Sequence, residues 1–273
     1  MINYKLHNNG WTVLVDVDLK TCTQEDINEI AKLIATNVIV VFKNQFLSIK
    51  EELRILNMFK NPTPLYEKED PLFQDYAADL INDPDGLLCR VTAELRNGKP
   101  GMAGDNDTFD WHVDSPEVET RNDLLYLRGV RGTVGSKTSW NNNLLAYKEL
   151  DNDIKNTIEN LHCIYGNIEA LWAPDYNGVS YNYDWTPPLV NNNGLYFAPG
   201  QLQKFVELKQ DESDKLKEIL AHHIFSDKYV YHHDWEDGDL IIANQWTGLH
   251  KRWAFDKMDI RVMHRATMNY PIC

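Results

Sequence analysis

Apolar and polar positions along this chain switch between two periods, and the switches mark out short elements. Thr12 to Val17 alternates, which predicts a strand with one buried face. After Thr23, an N-cap residue followed by the acidic turn Gln24-Glu25-Asp26, Ile27, Ile30, Ala31 and Ile34 recur at helical spacing, and Asn37 closes that helix. Val38 to Phe42 is apolar without interruption and reads as a buried strand. Ser48 caps a second helix with the stripe Leu53, Leu56 and Phe59, stopped by Pro62 and Pro64. Residues 65–85 are polar and acidic and predict no element. Leu87 to Ala93 and Asp123 to Leu127 predict strands, with a Gly/Asn-rich loop over 96–107 between them. A turn is expected over Gly129 to Gly135, a short extended piece over Lys137 to Trp140, a loop at Asn141-Asn142-Asn143 and a helix over Ala146 to Leu161. Residues 199–224 read as helix-rich, and Tyr229 to Tyr231, Leu240 to Ala243 and Ile260 to Met268 as strands. Helices thus dominate the first half and short strands the second. With no repeat or linker, the expectation is one α+β domain over 1–273 around a β-sandwich or barrel core.

Tyr165 to Pro199 fits neither period. Trp172, Tyr176, Tyr181, Tyr183, Trp185, Tyr196 and Phe197 stand there among Asn, Gly and Pro. Two readings stay open: an irregular excursion held by aromatic packing, or a lid or pocket wall in which Trp172, Tyr183 and Trp185 are the candidates.

Charge and cysteines narrow the class. The net charge is −14 with no basic stripe, which argues against nucleic acid and an anionic membrane as partners. Cys22, Cys89, Cys163 and Cys273 are scattered, so they read as reduced thiols of a cytoplasmic protein. Met1 to Gly10 has no secretory pattern, and the longest apolar run is too short to span a bilayer. A homo-oligomer is left open.

The chemistry centres on Asp110-Trp111-His112-Val113-Asp114. On extended backbone His112 and Asp114, two apart, point to one side and can share a metal ion. His250, in Gly248-Leu249-His250, offers a third ligand. Two imidazoles and a carboxylate leave coordination positions open, an arrangement that suits non-heme Fe(II) and oxygen chemistry. The same ligands also suit zinc in a hydrolase, and a fold of this class can serve as an inert small-molecule binder. The adjacent pairs His222-His223 and His232-His233 make poor chelators, since strand neighbours face opposite ways.

In order, Trp111-His112-Val113-Asp114, a Gly-rich turn with Thr138 and Trp140, His250 with Arg252, then Arg261 and Arg265 resemble the taurine dioxygenase superfamily of Fe(II)- and 2-oxoglutarate-dependent oxygenases. The resemblance covers the last 170 or so residues well and the first hundred loosely. It implies a double-stranded β-helix, a jelly roll with flanking helices. It implies Fe(II) on His112, Asp114 and His250, with 2-oxoglutarate as cosubstrate. Arg261 would take the distal carboxylate with Thr138 as a hydroxyl donor, and Arg265 would face the other carboxylate or an anionic substrate. The implied reaction uses dioxygen to oxidise a C–H bond of a small polar or anionic molecule, releasing succinate and CO2. Halogenases of the superfamily lack the carboxylate ligand, so Asp114 points to hydroxylation or a related oxidation. The chain departs from the taurine enzymes in having no histidine between Lys60 and Trp111, which argues against taurine itself. The arginines support the family reading independently. Arg261, Met263 and Arg265 share one strand face, opposite Ile260, Val262, His264, Ala266 and Met268. If both faces are buried, two arginines on one of them require anions, and guanidinium recognises carboxylate bidentately; the alternative is a surface strand with solvated arginines.

Overall fold

The computed structural model describes residues 2–64, 66–119, 122–171, 179–191, 193–256 and 260–270. Strand β1 (Asn3–Leu6) pairs antiparallel with β2 (Val13–Asp16), and β2 runs parallel to β3 (Ile39–Phe42) across helix α1 (Gln24–Asn37). α1 starts where the sequence places it: Thr23 accepts the Asp26 N–H while the Asp26 carboxylate accepts the Thr23 N–H. Ser48 and Glu51 form the same reciprocal cap on α2 (Ile49–Met58).

The strands of the described residues form two main sheets and two short pairs. The chain continues through β4 (Pro62–Thr63), α3 (Pro71–Tyr76), β5 (Cys89–Thr92), β6 (Phe109–His112), β7 (Leu124–Arg131) and β8 (Lys137–Asn142). Next come α4 (Asn143–Lys148), α5 (Asn152–Ile158), β9 (Cys163–Tyr165), β10 (Val190–Asn191), β11 (Gly194–Leu195), β12 (Leu202–Phe205) and α6 (Gln210–Ile224). The last strands are β13 (Val230–Asp234), β14 (Leu240–Asn244), β15 (Gly248–Arg252) and β16 (Val262–Met268). The large sheet has the order β1-β2-β3-β14-β7-β16-β4, with β5 also on β16; the small sheet is β13-β8-β15-β6; the short pairs are β9 with β12 and β10 with β11.

Strand alternation sorts the apolar side chains into three layers. Ile39, Val41, Leu125, Leu127, Ile241 and Met263 of the large sheet meet Trp140 and Tyr231 of the small one in a core between the sheets. Val40, Phe42, Tyr126, Ile242 and Met268 point the other way, against α1 and α2. Leu249 leaves the small sheet on its outer side, into a core built with α4, α5, α6, β9 and β12. This is the expected jelly roll with flanking helices.

Several local expectations change. Helices occur in both halves, and α6, with 15 residues, is the longest. The 146–161 helix is two helices, because Asp151 accepts the Asp153 N–H and starts α5 afresh. β12 precedes α6 inside the stretch read as helix-rich. β7 runs through Gly129 to Arg131, where a turn was expected, with a register shift against β16 between Val262 and Met263. Asn141 and Asn142 belong to β8, and all three asparagines are buried. Asn141 donates to the Ile224 carbonyl, Asn142 caps α4 and Asn143 donates to the Phe197 carbonyl. The unassigned region holds α3, which Asp70 caps with Pro71 in the first turn. His222 and His223 lie on α6, not on a strand, whereas on β13 His233 is buried and His232 exposed, as alternation requires.

Candidate active site

The site forms where the two sheets face each other. His112 ends β6 and is the direct cross-strand partner of His250 on β15, with ring centres 4.0 Å apart. Trp140 of β8 stacks on the His250 ring at 5.2 Å. Asp114 lies beyond the end of β6. The Val113 N–H donates to Gln201 Oε1 and the Asp114 N–H to Gln245 Oε1, so two glutamine side chains hold the turn after the strand. Ser115 follows at φ 48°, a left-handed backbone that bends the chain away.

These constraints bring one carboxylate oxygen to both imidazoles. Asp114 Oδ1 is 3.8 Å from His112 Nε2 and 3.9 Å from His250 Nε2. The three donor atoms lie within 4.8 Å of one another, close enough for a single ion. His112 Nδ1 donates to the Asp110 carbonyl at 2.6 Å; since a carbonyl only accepts, the lone pair is left on Nε2. Arg265 on β16 donates from Nη2 and Nε to Asp114 Oδ2, at 2.6 and 3.2 Å, leaving Oδ1 for a metal.

Protonation states suit the same use. Burial lowers the His112 pKa, and burial together with the neighbouring imidazole and Arg265 takes His250 down to about 3. Both rings are therefore neutral at pH 7. Burial alone would raise Asp114, but Arg265 and the two imidazoles outweigh it and hold the carboxyl well below its usual range. Two neutral imidazoles and one carboxylate are the donor set of a non-heme Fe(II) site.

A cavity of about 780 Å³ opens beside the triad. Thr138, Arg252, Arg261, Met263 and Arg265 line it, so the predicted strand face of alternating arginines is turned inward. The arginines differ in their partners. Arg252 is tied to Asp105 and to the carbonyls of Ala103 and Asp107, pinning the loop over 96–107 against the cavity. Gly101 in that loop packs so closely that a Cβ would stand 2.5 Å from the Arg90 carbonyl oxygen. Arg265 is committed to Asp114. Arg261 lies over the Phe255 ring at 4.4 Å and, among the described residues, has no hydrogen-bond or ion-pair partner; its Nε is buried and unpaired. Burial and the charge of Arg252 lower its pKa to about 9.

All six residues singled out from the sequence border this space. The pairing of Arg265 with Asp114 was not anticipated, nor was a further part of the cavity lining: Tyr66, Tyr76, Met102 and Ile168 border the cavity, the first two forming an edge-on ring pair at 5.4 Å. Asp70 before Pro71, an N-cap and first-turn pair that the sequence reading did not use, would have pointed to a helix in the stretch that holds Tyr76. In the aromatic stretch, the turn Ile168–Leu171 brings Ile168 to the cavity, while Tyr165, Tyr196 and Phe197 sit in the outer core. Tyr183 is exposed and Trp185 half-buried; Trp172 and Tyr176 lie outside the described residues. Cys22, Cys89 and Cys163 are buried and form no disulfide among the described residues, and Cys273 lies outside the described residues. No helix among the described residues is long and apolar enough to cross a membrane.

The chain is similar to known proteins along its whole length. The α-ketoglutarate-dependent 2,4-dichlorophenoxyacetate dioxygenase of Cupriavidus pinatubonensis is 25% identical over 272 residues, covering 92% of each protein. A shorter match to pentalenolactone F synthase of Streptomyces arenae, 31% identical over 79 residues, spans 29% of this chain and 26% of that one. The crystal structure of AAD-2 in complex with Mn(II) and N-oxalylglycine superposes with a TM-score of 0.81 at 19% identity, covering 100% of this chain and 99% of that one. The family model described as taurine catabolism dioxygenase TauD, TfdA family matches residues 4–267, so the chain belongs to this family of dioxygenases, which use Fe(II) and 2-oxoglutarate.

Proposed function

We propose that this protein couples the oxidative decarboxylation of 2-oxoglutarate, giving succinate and CO2, to oxidation of a C–H bond in a small molecule. In this reading His112, Asp114 and His250 hold the Fe(II), and the metal supplies dioxygen activation when bound. Arg265 keeps Asp114 ionised and turned so that Oδ1 is the ligand atom. Arg261 receives the distal carboxylate of 2-oxoglutarate, and Thr138 donates its hydroxyl to the same group.

The observation that carries this reading is the Arg261 guanidinium. It is buried, unpaired at Nε, and borders the same cavity as the triad. A buried cation without an anion is costly, and a fork of N–H donors matches a carboxylate. A hydrolase using the three ligands alone would leave this arginine without a task.

Tyr66, Tyr76, Met102 and Ile168 add an apolar and aromatic lining to the cavity. That lining, and a relative named for 2,4-dichlorophenoxyacetate, put aryl-bearing acids first among substrates to try, ahead of sulfonates, amines and amino acids. The turn Ile168–Leu171 acts as the part of the aromatic stretch that borders the substrate. The test is substrate-stimulated succinate formation, run beside anaerobic Fe(II) titration of the wild type, His112→Ala and His250→Ala. One Fe(II) per wild-type chain is expected, with neither iron binding nor succinate formation in the folded variants. Full turnover in either variant would remove that histidine from the site.

A further inference from the structure

Trp235 lies just past β13, buried beneath the cavity wall. Its backbone N–H donates to the Ser136 carbonyl at 3.0 Å, and its indole N–H donates to Thr138 Oγ1 at 2.9 Å. An indole can only donate, so it occupies a lone pair of the Thr138 oxygen. The Thr138 hydrogen must then point away from the indole. No other protein group among the described residues hydrogen-bonds to that hydroxyl, and Thr138 borders the cavity. The hydroxyl is thereby left as a donor toward whatever fills that space. Without the indole N–H it would be free to rotate and turn a lone pair toward a carboxylate, which repels it.

The indole is itself held in place. The His233 ring meets it edge-on at 4.6 Å and 83°. His233 Nε2 pairs with Asp239 Oδ2 at 3.0 Å, and the same oxygen accepts from Lys43 Nζ at 2.7 Å. A run of contacts therefore leads from Lys43 at the surface to the Thr138 hydroxyl.

We infer that Trp235 is a positioning residue for 2-oxoglutarate, setting the Thr138 hydroxyl as a donor to its carboxylate; this rests on the role proposed above for Thr138. The test is anaerobic calorimetry of 2-oxoglutarate binding to the Mn(II)-loaded protein, which reads affinity without turnover. Thr138→Val should weaken binding about tenfold and Trp235→Phe about three- to tenfold, the range for one hydrogen bond. The double variant should bind no more weakly than Thr138→Val, because the indole acts through that hydroxyl alone. Trp235 is buried, so a second replacement by 3-benzothienylalanine, which puts sulfur in place of the N–H at constant shape, should match Trp235→Phe. Wild-type affinity in both Trp235 replacements beside a weakened Thr138→Val would overturn the inference, as would losses that multiply in the double variant. Wild-type affinity in Thr138→Val would instead remove the proposed role of Thr138, and the inference with it. Arg261→Ala, run alongside, shows whether the carboxylate site as a whole is misplaced.

Discussion

Three arginines share one cavity, and their separate commitments make their removal distinguishable. Arg261→Ala should leave the distal carboxylate of 2-oxoglutarate unpaired in a desolvated place, a loss of about 2–5 kcal/mol. Calorimetry on the Mn(II)-loaded variant should show that loss in cosubstrate affinity with metal binding nearly intact; unchanged cosubstrate affinity would sink the assignment. Arg265→Gln should act on the metal, because Asp114 loses the partner that holds Oδ2. Its Fe(II) affinity should fall by about 10–100-fold, the usual effect of removing such a support. Equilibrium titration against a competing chelator measures it, and a metal affinity equal to wild type would show that Asp114 needs no such support. The shared face of His112 and Asp114 and the inward arginine face were legible in the sequence because both rest on short spacings with a fixed period. The Arg265–Asp114 pair was not, since it joins positions 151 apart, one on β16 and the other past the end of β6. Tyr66 and Tyr76 stayed hidden because no periodicity surrounds them.

Among elements, α2 is fastened to the large sheet by one carboxylate. Glu52 accepts from Tyr126 Oη, from Arg128 Nε and Nη2 and from His264 Nδ1, at 2.7–2.9 Å, in a fully buried place. Burial would raise its pKa, but the Arg128 and His264 bonds outweigh it and the folded-state value is lowered from 4.5. A depressed carboxyl pKa contributes stability that is fully present above the unfolded value and lost as pH falls through the folded one. Thermal melts from pH 7 to pH 3 should therefore steepen below about pH 4.5 in the wild type and flatten in Glu52→Gln. At pH 7 that variant should be less stable by about 3–5 kcal/mol, because Arg128 is left as an uncompensated buried charge. Equal pH slopes in the two proteins would mean the cluster contributes no linkage. The stretch over 165–199 divides in the same spirit. Mn(II) with 2-oxoglutarate and substrate should slow hydrogen exchange around Ile168, at the cavity, while amides near Tyr196 and Phe197 exchange equally slowly with and without ligands. The reverse pattern would count against a covering role for the turn. Composition misled at Asn141-Asn142-Asn143, where asparagine signals a loop. The structure uses these side chains to bond the backbone of three separate segments, a role that only tertiary contacts reveal.

For the whole molecule, the site joins the two sheets. His112 and His250 belong to the small sheet and Arg265 to the large one, with Asp114 between them. Metal and cosubstrate together should therefore tie the sandwich shut. At a hundredfold excess over Kd, binding adds about 2.7 kcal/mol, or roughly 5–10 °C in Tm for a chain of this size. A calorimetric scan with Mn(II) and 2-oxoglutarate tests this, and the gain should vanish in His112→Ala; a gain that persists there would place the binding elsewhere. The jelly roll was legible from short strands and from the family pattern, but the sheet order was not, since it depends on which distant strands meet. The direct pairing of His112 with His250 has a further consequence. A slip of one residue between β6 and β15 would turn one histidine out of the cavity while the two strands re-form backbone bonds with new partners. Such a chain would keep the circular dichroism of the native protein and lose its iron. With His112 and His250 as the proposed ligands, metal retention after refolding counts correctly registered molecules, and the bound metal reports strand alignment.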